Sequence, residues 1–186
     1  MNWVAFAIAS WLFLGAELGL RDALELGATG VAPSFVIVLI VFVAMSTTTT
    51  TALWAALILG VLLDLTHPVP LDGVPDAATV LGPYALGAMA GAYLVVLKRA
   101  MMIRSNPLTI PVLAFMAALL MHVVVVVFFT IRAYYDPVAF APGRELWTRF
   151  LCAVVTALGA IVLGPLLRLS APLFAFPIGA GVRRRF

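Results

Sequence analysis

Charged residues are so few and so clustered in this 186-residue chain that they leave long uncharged runs, residues 2–16, 26–63, 77–97, 105–131, 150–167 and 169–182. Each run must either cross a membrane or be explained otherwise. With 65% hydrophobic and 10% charged residues, the chain lies far above the roughly half-apolar composition of a soluble domain, and no water-soluble fold hides that much apolar surface. A helical crossing takes about 20 mainly apolar residues at 1.5 Å rise, so a chain of this length supplies about five to seven crossings and leaves no room for a second, extramembrane domain.

The run 26–63 is too long for one helix across a roughly 30 Å hydrocarbon layer, and its middle is the polar, mostly β-branched stretch Ser46-Thr47-Thr48-Thr49-Thr50-Thr51. It splits there into two helices. The run 169–182 is short and broken by Pro172, Pro177, Gly179 and Gly181, which suits an interfacial tail. The sequence therefore predicts an all-α integral membrane fold of six short transmembrane helices, over residues 3–20, 31–45, 52–65, 80–97, 108–131 and 150–167. Residues 1–168 form the transmembrane domain and 169–186 a basic interfacial or cytoplasmic tail. The first helix has no basic segment before it and Glu17 interrupts it, so it is expected to remain uncleaved.

Lys98, Arg99 and Arg104 follow the fourth helix, and Arg183, Arg184 and Arg185 close the chain; the excess of positive charge on cytoplasmic loops makes these six the cytoplasmic anchors. Two crossings separate the groups, so parity agrees, and both termini fall in the cytoplasm. All acidic residues, Glu17, Asp22, Glu25, Asp64, Asp72, Asp76, Asp136 and Glu145, then lie toward the outer side. A five-helix alternative, with 32–65 as one helix, puts Glu17, Asp22 and Glu25 inside and ranks second. The net charge of +3 is carried at segment ends without a patch or aromatic interleaving, which points to membrane lipid headgroups and not to nucleic acid.

Ala52, Ala56, Gly60 and Asp64 recur every four residues, a stripe of small side chains that ends in a carboxylate. On the residues alone, Asp64 either caps its helix before Pro68 or contacts a partner. Gly82, Gly87 and Gly91 on the fourth helix, and Gly15 with Gly19 on the first, suit close helix packing. Two polar groups lie inside predicted helices: Glu17, near the outer surface, and His122, whose neutral imidazole requires a hydrogen-bond partner across the bundle. His67 with Asp64, Asp72 and Asp76 has no recognisable metal-ligand spacing, and lone Cys152 reads as a small core residue. Trp147, Tyr134 and Tyr135 fit an aromatic belt. No phosphate loop, nucleophile elbow or paired Cys-x-x-Cys appears, so the chain is read as no enzyme and without a cofactor.

Residues 57–93 resemble the rod shape-determining MreD family. The shared elements are Gly60-x-x-x-Asp64 at the end of a middle helix, a short outer loop, Leu81-Gly82 opening the next helix, and an apolar run to Tyr93. The resemblance implies a non-catalytic bacterial inner-membrane component of the cell-shape elongation machinery that scaffolds lateral peptidoglycan synthesis. Its implied partners are a single-span MreC-like protein and, indirectly, an MreB-like filament and the peptidoglycan synthases. The family's fold is similar to the substrate-binding subunit of energy-coupling-factor transporters, which implies the alternative function, uptake of a vitamin or metal. Against that alternative stands the outer half of the predicted bundle, where Trp11 and Glu17 are the best ligand groups.

The predicted topology is checked by introducing single cysteines in a Cys152-free background. Position 76 is expected to react with an impermeant thiol reagent from outside and position 102 from inside, and inside labelling of both would overturn the topology.

Overall fold

The computed structural model describes residues 1–27, 29–70, 77–102, 106, 108–135 and 140–176. Asp72, Asp76, Arg104, Asp136, Arg183, Arg184 and Arg185 lie outside the described residues. The chain forms helices α1 (Trp3–Leu24), α2 (Phe35–Ser46), α3 (Thr49–Thr66), α4 (Pro83–Lys98), α5 (Thr109–Arg132) and α6 (Pro142–Ser170), followed by a 3-10 turn, Ala171–Phe174. Between α3 and α4, Val69–Pro70 pairs antiparallel with Ala77–Ala78. Four helices, α1, α3, α5 and α6 with its 3-10 extension, are long and apolar enough to cross a membrane, and α2 and α4 are shorter apolar helices. The protein is thus built as an all-helical, multi-pass membrane protein.

Helix α2 organises the bundle. Its sequence, FVIVLIVFVAMS, is rich in β-branched residues that disfavour helix in water, but in an apolar surround a helix is the way for one segment to satisfy its own backbone. Every residue from Val36 to Ala44 is buried. Helices α1, α3, α4, α5 and α6 all pack on it. At 12 residues it is only roughly 18 Å long, well short of a hydrocarbon layer, so it ends inside the bundle. The break after it is tight: Thr47 donates its hydroxyl to the Val43 carbonyl, and the Thr48 side chain accepts from the Thr51 amide to start α3.

The remaining helices close around α2 through glycines. A Cβ on Gly60 would stand 2.5 Å from the Ala85 Cα, so the start of α4 lies directly on α3 there. On the other face of α4, a Cβ on Gly87 or Gly91 would meet the Met121 carbonyl at 2.8 Å or the Ala117 carbonyl at 2.9 Å, which sets α4 against α5. Gly15 and Gly19 have open space instead, so they pack against nothing described. Ala52 and Ala56, which precede Gly60 on the predicted stripe, are buried in the core.

Most predicted helix ends lie within about four residues of those observed, the ordinary margin for boundaries. One end differs more. Helix α6 begins at Pro142, eight positions before the expected 150, because Arg144, Glu145 and Arg149 stand on helix and not in a loop. The expected boundary after 168 also shifts: α6 continues to Ser170, and the segment after it packs back on the bundle, with Phe174 buried against Phe42 and the Asn2 amide donating to the Phe174 carbonyl at 2.8 Å.

Gly60→Ala forces α3 and α4 apart and is expected to cost about 1–3 kcal/mol, the usual penalty of overpacking, whereas Gly15→Ala is expected to be neutral. Thermal unfolding of both variants in detergent checks the difference.

Candidate functional site

Because α2 and α4 begin inside the bundle, their first amides need acceptors that water cannot supply. A carboxylate from the preceding helix provides them in each case. Helix α4 starts at Gly82, whose φ of +126° favours glycine and whose missing side chain cannot cap, and Pro83 has no N–H. The Leu86 amide already bonds to the Gly82 carbonyl. The amides left over, those of Gly82, Tyr84 and Ala85, all donate to Asp64 at 2.9, 2.9 and 3.1 Å. Asp64 is 1% exposed. Of the two roles open on the residues alone, the described contacts are those of a cap, placed on the neighbouring helix and not on its own, while Gly60 one turn earlier lets that helix approach.

Glu17 does the same for α2. It accepts from the Ser34 hydroxyl at 3.0 Å through either oxygen and from the Val36 amide at 2.9 Å, and Ser34 in turn caps Ile37. The Ser34 amide donates to the Thr156 hydroxyl of α6. At the opposite end of α2, Arg99 donates through Nη1 to the carbonyls of Ala44 and Thr47. A negative group therefore meets the N-terminus of α2 and a positive one its C-terminus, each the sign that the helix dipole favours. Arg99, expected as a cytoplasmic anchor, is half-buried in this contact, whereas Lys98 is exposed.

Above the start of α2, where the short helix leaves room, lies a cavity of about 420 Å³. Glu17 and Arg21 of α1, His67 after α3, Tyr84 of α4, His122 of α5 and Arg144, Glu145, Arg149 and Cys152 of α6 line it. Arg149 donates Nη1 to the Tyr84 hydroxyl at 2.9 Å, pairs through Nε with Glu145 at 3.3 Å, and holds its guanidinium carbon 5.5 Å from the Tyr84 ring centre. His67 also meets Tyr84, its ring stacking on the phenol with centroids 5.2 Å apart. His67 Nδ1 lies 3.0 Å from the Leu63 carbonyl, an acceptor only, so Nδ1 carries the proton and Nε2 does not.

Burial pushes the His67 imidazole below its ordinary pKa, and Arg21 and Arg149 push the same way against the Leu63 carbonyl and Asp64. His67 is therefore neutral at pH 7.

Three expectations change here. His122 does not bond across the bundle: neither ring nitrogen has a hydrogen-bond partner among the described residues, and the ring lines the cavity instead. Cys152 is half-buried at the cavity wall, not a core residue. The polar groups do converge, but Trp11 is not among them, since it is 81% exposed on the outside of α1. Arg21, Tyr84 and Arg149 were not singled out in sequence. The signal available for them was three arginines, 21, 144 and 149, in segments assigned to the acidic side. Tyr134, Tyr135 and Trp147 are exposed.

Fold and cavity define an all-helical membrane protein with a polar chamber at one end of its central helix. Among known proteins, no family model, curated protein or solved structure matches this chain.

Asp64→Ala orphans the amides at the start of α4 and is expected to destabilise the protein by about 3 kcal/mol, with Asp64→Asn intermediate and exposed Asp22→Asn neutral, in thermal unfolding. The lowered His67 pKa predicts a pH effect of fixed sign. Above about pH 6.5 the imidazole is neutral folded and unfolded; below it the unfolded chain takes up a proton first, so stability falls as pH drops toward 5. His67→Gln is expected to lose less stability than the parent over that range, and an equal loss would contradict the assignment.

Proposed function

We propose that the chain is a non-catalytic, multi-pass component of a bacterial cell-shape machinery of the MreD kind, acting as a helical scaffold in the inner membrane with both termini cytoplasmic. The observation that supports the reading is that three residues of the resemblance, Gly60, Asp64 and Gly82, meet in one contact. Gly60 admits the start of α4, Asp64 caps it, and Gly82 provides the backbone turn that presents its amides. That these three positions meet in one contact supports the resemblance. Charge distribution in the sequence supports the orientation: seven of the eleven Lys and Arg residues, Lys98, Arg99, Arg104, Arg168, Arg183, Arg184 and Arg185, stand at or after the ends of α4 and α6, against Arg21, Arg132, Arg144 and Arg149 toward the end where α2 begins.

A surface for a single-span partner is available on α1. Among the described residues that helix packs chiefly on α2 and the 3-10 turn, and Trp3, Val4, Ile8, Trp11 and Leu12 form exposed apolar surface along it. Since Asp64 is taken up inside the chain, a partner contact falls on such a lipid-facing helix and not on the Gly60–Asp64 stripe.

The cavity favours a second reading, the substrate-binding subunit of an energy-coupling-factor-type transporter, because a chamber of about 420 Å³ with several polar walls is of the size small ligands occupy. Purification of the tagged protein from its native membrane in mild detergent, with mass spectrometry of its companions, separates the two. The scaffold reading expects an MreC-like protein and peptidoglycan synthases; recovery of ATPase and transport subunits in their place would replace it with the second.

A further inference from the structure

The cavity contains more cationic and donor capacity than the protein uses. Arg21 and Arg144 stand exposed at its rim, and neither has a hydrogen bond or ion pair among the described residues. Deeper in, Arg149 is committed to Glu145 and Tyr84 by Nε and Nη1, with no described partner for Nη2. Glu17, the other acid on the wall, is turned onto Ser34 and Val36 at the start of α2. At the base, His122 is 7% exposed with both ring nitrogens unpartnered, an expensive arrangement for a buried polar group that has nothing to bind.

We propose that this cavity binds an oxyanion, a phosphate or carboxylate group, held by Arg21 and Arg144 at the mouth and Arg149 within, with His122 hydrogen-bonding the body of the ligand. Guanidinium forks match the paired oxygens of such groups, and a site walled by protein and partly shielded from water strengthens the attraction. A neutral imidazole has one donor and one acceptor, so it reads a hydroxyl or amide beside the anion and not a second negative charge. The oxyanion arrives either on a free small molecule or as the headgroup of an anionic lipid. The proposal rests on the cavity and not on either reading of the protein's role.

The test is thermal unfolding of the purified full-length protein in neutral detergent, with inorganic phosphate or citrate as free anions and phosphatidylglycerol, against phosphatidylcholine, as lipid. Binding to the folded state raises the melting temperature in a concentration-dependent way. The double variant R21Q/R144Q, at two exposed rim positions with no hydrogen bond or ion pair among the described residues, is expected to abolish the shift, and His122→Gln to weaken it, while Lys98→Gln at the opposite end leaves it intact. A shift with phosphate or citrate assigns a soluble ligand; one with phosphatidylglycerol alone assigns a lipid headgroup. No shift with any of the three, or a shift that survives R21Q/R144Q, overturns the proposal.

Discussion

Two ends of one short buried helix set the terms for the rest of the molecule. Helix α2 lies in the centre of the bundle, too short to bring either terminus to water, so its free amides and carbonyls must be met by protein. Glu17 from α1 and Ser34 meet the first, and Arg99 from the end of α4 meets the second. Each charge is buried or half-buried only because the helix terminus it faces has the opposite partial charge. The same solution recurs one hairpin later, where Asp64 of α3 accepts the amides of α4. In both hairpins a carboxylate near the end of one helix fixes the start of the next, so the polar groups of this apolar chain act as joints between its helices.

This arrangement also explains why a cavity exists. The helices around α2 continue beyond its first turn, and the space above that turn is enclosed by α1, α3, α4, α5 and α6. Long side chains fill part of it: Arg149 reaches across to Tyr84, and His67 stacks on the same ring. The capping carboxylate Glu17 lies on the cavity wall with its oxygens already engaged, which leaves the arginines as the charges available to a ligand. Glu17 thus serves the fold alone, whereas Arg149 is shared between the fold and the proposed site.

Much of the fold was legible in the sequence because hydropathy alone divides the chain, and the threonine run marks the α2–α3 break; that Thr48 is the residue that caps α3 was not. The start of α6 was not, since a rule that ends helices at charges cannot see that Arg149 is held on helix by Tyr84, 65 positions away. Glu17, Asp64 and Arg99 could be singled out as unusual residues, but their partners lie on other helices, and spacing along one helix says nothing of what faces it. The small-residue stripe was readable as a packing face; that Gly60 receives the backbone of α4 became visible only when the two helices were in place. His122 misled for the same reason, since the need of a buried imidazole for a partner is sound and the structure places a cavity where that partner was expected.

The central claim, that charges from neighbouring helices cap α2, is tested most directly by hydrogen–deuterium exchange of the protein in lipid nanodiscs, with and without Glu17→Leu. The account predicts much faster exchange at the Val36 and Ile37 amides and unchanged protection in the middle of α2, around Ile40 and Val41. Unchanged exchange at Val36 and Ile37 would show that Glu17 does not hold the start of the helix and would contradict the account.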